Sequence, residues 1–183
     1  MTTTFFGVQI ALKLAFEHPL RAELADLATD SRTSTSLIAQ RVCWTRIAAA
    51  LEGAEKLATF GTWDLIRKTG QNDYEEWASG LEAMAGWPMD DFGTNGSHLL
   101  VSIIFLVVGG SNADLTLGDQ CDLPERDWQR RATYAQLFAV PPMLNFTNVL
   151  GSGFYIAPRP DHAGFSTAVL TGEGFEYLAP ITG

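Results

Sequence analysis

The residues best suited to chemistry follow a run of branched apolar side chains. Gly109-Gly110-Ser111-Asn112-Ala113 approximates the G-x-S-x-G turn, with alanine in the last place. Such a turn lifts a serine hydroxyl clear of a sheet. Asp119 or Asp127 and then His162 follow, in the chain order Ser, Asp, His. A small serine hydrolase would use His162 as the base for Ser111, within hydrogen-bond reach and oriented by one of those carboxylates. Two readings oppose this. The elbow should feed directly into a helix, whereas Leu115 to Asp122 reads as loop. A Gly-Gly-Ser-Asn run after a strand is also the simplest of turns. The hydrolase is therefore the alternative, not the leading reading.

The remaining chemistry is sparser. His98 opens a later strand and has Asp90 and Asp91 nearby in sequence, a minimal start for a metal site. One histidine with loop carboxylates falls short of a ligand set, so no metal is expected. His18 precedes Pro19 at a strand-to-helix junction and reads as a surface or capping residue. His162, between Pro160 and Gly164, reads as an exposed turn residue. Glycine-rich segments at 93–96, 109–110 and 151–153 match neither phosphate-binding fingerprint and have no adjacent Lys or Arg, so no nucleotide cofactor is expected. Cys43 and Cys121 form neither a disulfide framework nor a zinc pattern, and Cys43 reads as a small core residue.

Charge excludes further classes. The chain has 183 residues, with 12 basic and 21 acidic side chains and a net charge of −9. That balance argues against a nucleic-acid backbone as partner. Between Lys68 and Arg126 there are ten acids and no Lys or Arg. From Ala132 to Pro158 there is no charge of either sign. An acidic middle reads as a solvated face. The uncharged segment reads as either core or a contact surface, with Pro141, Pro142, Met143, Leu144 and Phe146 as the interface candidates for a protein partner or a second copy. The longest apolar run, Leu99–Val108, is too short to span a bilayer, which takes about 20 residues. The first residues lack a basic signal-peptide region. A soluble cytoplasmic protein is expected, with no transmembrane segment.

The elements that must position these residues follow from periodicity. Phe6, Val8, Ile10, Leu12 and Leu14 alternate with Gly7, Gln9, Ala11 and Lys13, which predicts a strand with one buried face. Helical spacing takes over from Glu17 to Thr29, and a second helix, capped by Thr33 or Ser34, extends to about Leu57. A short helix is predicted from Thr62 to Lys68. Another follows an Asn72–Glu75 capping box, with Tyr74, Trp77, Ala78, Leu81 and Ala85 as its apolar stripe. Residues 88–97 read as loop. Leu99–Val108, apolar on both alternations, predicts a central strand covered on both sides. A helix begins near Pro124, with Trp128, Ala132, Ala135 and Phe138 facing inward, and Pro141-Pro142 stop it. Val149–Ala157 predicts a third strand and Phe165–Leu170 a short fourth. Thr171–Leu178 reads as a last helical turn. The five tryptophans, on or beside helices, read as core.

Three segments carry a family resemblance: Val8-Gln9-Ile10-Ala11-Leu12, Leu24-Ala25-Asp26-Leu27-Ala28, and Thr33-Ser34-Thr35-Ser36 before a helix. A later apolar strand and a C-terminal Leu170-Thr171…Tyr177-Leu178-Ala179-Pro180-Ile181 add to it. Together they resemble the uncharacterised family of chloroplasts and cyanobacteria that includes the fluctuating-light-acclimation protein, best over residues 5–57. The resemblance implies no established enzyme activity. It implies membrane-associated proteins, some linked to photosynthetic regulation, although the hydrophobic and Gly/Ser-rich flanks typical of such members are absent from this chain.

The combined expectation is one globular α/β (α+β) domain over residues 1–183. It has a small mixed sheet of three to four strands packed with about five helices. Its expected role is non-catalytic interaction or regulation.

Overall fold

The computed structural model describes residues 1–85, 96–159 and 161–183. β1 (Thr3–Lys13) sends Phe6, Val8, Ile10 and Leu12 to one face and Phe5, Gly7, Gln9 and Ala11 to the other. All eight are buried, so the strand has two buried faces where the alternation predicted one. The reason is its place in the sheet. The strand order is β4-β3-β1-β2-β5, with β2 at Ala58–Lys68, β3 at His98–Val108, β4 at Val149–Ala157 and β5 at Ala179–Pro180. β1 lies in the middle, and protein covers it on both sides.

The fold class is mixed α/β, as expected, but the details differ. The described residues hold five strands rather than three to four, and every pairing is antiparallel rather than mixed. They hold six α-helices rather than about five. The largest correction is β2, where a short helix was predicted over 62–68. Its residues alternate: Trp63 and Leu65 pack on one core cluster, while Phe60 and Ile66 pack on clusters across the sheet. Pairing with β1 along the whole of its length outweighs a weak local helix signal.

The helices are α1 (Pro19–Thr33), α2 (Leu37–Leu51), α3 (Gly70–Ala85), α4 (Asn112–Cys121), α5 (Arg131–Phe138) and α6 (Thr167–Leu170). His18 Nδ1 accepts from the Leu20 N–H at 3.2 Å, so His18 is the cap that its position suggested. Ser36, not Thr33 or Ser34, caps α2. The second helix ends at Leu51, because Gly53 turns the chain at φ 81° and a short 3-10 turn then carries it into β2. The residues predicted as a fourth strand instead form α6, with Phe165 making only an isolated bridge to His98. Residues 171–178 are turns rather than helix. Trp44 is core, but Trp128 is 43% exposed. Most of the predicted 88–97 loop lies outside the described residues.

Helices α1, α2, α4 and α5 cover one face of the sheet through the largest core cluster. Helix α3 and the C-terminal segment cover the other through two smaller clusters. β2 and β3 flank β1 and run in the same direction, so α3 is the crossover between them. Gly7 makes its close packing possible: a Cβ there would stand 3.1 Å from the Trp77 ring.

Candidate functional site

Ser111 sits just past the C-terminal end of β3. Contrary to the loop reading of 115–122, the turn does feed into a helix, α4. The serine is that helix's N-cap: its Oγ accepts from the Asp114 N–H at 3.3 Å. The Asp114 carboxylate is buried behind it. It accepts from Thr4 Oγ1 at 2.8 Å, from the Gly110 N–H at 2.8 Å and from Arg67 Nε at 3.2 Å. Arg67 also donates to the Asp114 carbonyl at 3.0 Å. Its guanidinium lies across Gly118, where a Cβ would collide with it. Asp114 thus ties β1, β2 and α4 together.

His162 lies at the other end of the sheet. Arg21, only 3% exposed, donates to the carbonyls of His162 at 2.9 Å and Ala163 at 2.6 Å. Two residues on, Phe165 pairs with His98, the first residue of β3. Ser111 follows the last. An 11-residue strand separates the two ends by roughly 33 Å. The structure therefore does not bring Ser111 and His162 together. Asp119 is exposed on α4, and Asp127 binds Arg130 at 2.9 Å within a surface turn. His162 is half-buried rather than exposed.

His98 is a buried core histidine. Its Nδ1 donates to the Phe165 carbonyl at 3.2 Å, and its ring meets Phe60 edge-on at 6.4 Å. Asp90 and Asp91 lie outside the described residues. Among the described residues no group of three or more His, Cys, Asp or Glu is gathered for a metal. Burial, with a smaller push from Lys13, holds the His98 imidazole below its ordinary value of 6.5. The unfolded chain therefore takes up a proton as pH falls below 6.5, while the folded chain resists it. Stability is expected to decline across that window, by at most about 1.4 kcal/mol per pH unit. His98→Gln should flatten this slope. Urea melts between pH 7 and 5.5 (~1.5 units of titration) with the same slope in both proteins would count against the assignment.

The thiols are also structural. Cys43 and Cys121 are both buried, and burial pushes Cys121 up to about 12, far from a reactive thiolate.

The uncharged stretch is divided between core and surface. Pro141, Leu144 and Phe146 are buried, Pro142 is half-buried, and the Phe146 ring packs on Phe105 at 6.3 Å. Of the five interface candidates only Met143 is presented to solvent, at 54%. It does not stand alone. Leu37, Ile38 and Val42 on the outer side of α2 are also exposed, Ile38 to 79%. Leu37, Ile38 and Arg41 line a groove of about 380 Å³ whose other wall is residues 143–147. Arg41 is its single charged lining residue among those described. Sequence reasoning missed this half of the surface. The signal was present: Trp44, Ile47 and Leu51 define the buried side of α2, and Ile38 and Val42 fall off that side. Among the described residues no helix is long and apolar enough to cross a membrane. No family model, curated protein or solved structure matches the chain.

Proposed function

We propose that the protein is a non-catalytic interaction domain, working in the cytoplasm, that docks an acidic amphipathic segment of a partner protein on the outer face of α2. The observation that carries this is the exposed group Leu37, Ile38, Val42 and Met143 around Arg41. Large apolar side chains presented side by side mark contact surfaces. The charge pattern selects the partner. The chain is at −9 overall, yet α2 carries Arg41 and Arg46 and no acid. Arg46 is paired with Asp30 at 2.6 Å, which leaves Arg41 to receive a partner's carboxylate beside the apolar groove. Two copies joined through this face would set arginines against each other, which favours a different protein over a homodimer. Membership of the chloroplast and cyanobacterial family belongs to the same proposal, supported by residue pattern alone, best over 5–57.

A photo-crosslinker at Val42, used in an extract of the source cells, tests it. The expected product is a heterologous crosslink to an acidic segment, reduced at least tenfold by Ile38→Glu or Arg41→Glu. Both substitutions are on the surface and should change unfolding free energy by no more than about 0.5 kcal/mol. A crosslink between two copies of the chain, matched by a dimer mass in light scattering, would replace this reading with self-association. A crosslink indifferent to both substitutions would remove the α2 face from consideration.

A further inference from the structure

A second surface lies across the sheet from α2. Three polar side chains lie side by side across the middle of the sheet: Ser102, Gln9 and Thr62, on adjacent strands in direct register. Gln9 is 1% exposed and donates from Nε2 to Ser102 Oγ at 2.8 Å.

Gln9 is also part of the floor of a groove of about 400 Å³. The volume is that of a small-molecule site. Trp77, Leu81 and Met84 of α3 form one wall, and Tyr177 of the C-terminal segment forms the other. Asp64 of β2 continues the floor from Thr62, and Glu76 stands at the rim. No Lys, Arg or His is among the described lining residues.

The chemistry of this groove is one-sided. Two carboxylates and an amide oxygen can only accept, and two aromatic rings attract cations through their faces. An anion would meet repulsion on every side. A bare metal ion would meet indole and thioether walls. From the groove we infer a binding site for a small organic ammonium ion with an apolar body: the amine at Asp64 and Gln9 Oε1, the apolar part between Trp77 and Tyr177. Asp64 is exposed at the groove, where partial desolvation, reinforced by the charge of Asp73, holds its carboxyl above its ordinary value; a bound cation would favour the charged form. This inference is independent of the α2 reading, since α3 and α2 lie on opposite faces of the sheet.

The test uses two probes that share an apolar body and differ in charge. Tryptamine and indole-3-propionate are titrated into the full chain by calorimetry. Tryptamine is expected to bind at least tenfold more tightly. Asp64→Asn should weaken it five- to tenfold, while Asp119→Asn, an exposed acid on the other face, should leave it unchanged. Gly80→Leu blocks the groove without threatening the fold, because Gly80 is an exposed helix residue whose Cβ would meet nothing within 4 Å. It should abolish tryptamine binding and keep the melting temperature. The inference is overturned if both probes bind alike, if Gly80→Leu binds tryptamine as the parent does, or if the parent binds no tryptamine at millimolar concentration.

Discussion

Trp44→Ala is expected to lower the unfolding free energy by about 3–5 kcal/mol, the range for removing a large buried aromatic side chain. Trp44 is 2% exposed and projects from α2 onto the sheet. Its ring lies 4.5 Å from Phe105 and meets Phe154 edge-on at 6.4 Å. One side chain therefore ties α2 to β3 and β4. Neighbouring side chains can close only part of the cavity, since Phe105 and Phe154 are held in strands. Trp44→Phe keeps an aromatic ring and should cost far less, about 1–2 kcal/mol. Urea unfolding followed by circular dichroism checks both. A loss below about 1.5 kcal/mol for the alanine variant would mean that α2 does not dock on the sheet as described. The result also bears on function. Ile38 and Val42 share α2 with Trp44, so the outer face keeps its place only while the inner face stays packed.

That two-sided character of α2 explains what could be read from the sequence and what could not. The inner face was legible because Cys43, Ile47 and Ala50 recur at helical spacing, although the same spacing ran on to Leu57, past the helix's end at Leu51. The outer face was missed although Ile38 and Val42 fall off that side, because spacing alone does not tell whether a second element covers them; among the described residues both are exposed. β1 was legible as a strand from its alternation, and β3 from an apolar run on both alternations. β2 was not, since its half-buried alternation acquires meaning only from its ladder with β1. The cation groove was invisible for the same reason. Gln9, Thr62, Asp64 and Trp77 come from a strand, a second strand and a crossover helix, and Tyr177 lies more than a hundred residues further along the chain than Thr62. No local pattern links them. Only the register that sets Gln9 beside Thr62 and Ser102 does.

The contrast between Ser111 and Asp114 shows how a motif can mark a residue without marking its role. Ser111→Ala removes an N-cap and is expected to cost about 1 kcal/mol. Asp114→Ala should cost more, about 2–4 kcal/mol, because three donors lose their acceptor at once. Thr4 and the Gly110 N–H are stranded beside a new cavity. Arg67 loses its ion pair, although its own side chain is 46% exposed and water can replace part of that contact. The upper end of the range for a broken buried pair is therefore not reached. A double-mutant cycle separates the contributions: with Arg67→Met in place, Asp114→Ala should lose roughly 1 kcal/mol less than it does alone, because the guanidinium is no longer left behind. Denaturant midpoints for the four proteins give the result. If Ser111→Ala were the more damaging single substitution, the serine would hold more than a helix end, and the assignment of this turn as a structural cap would fall.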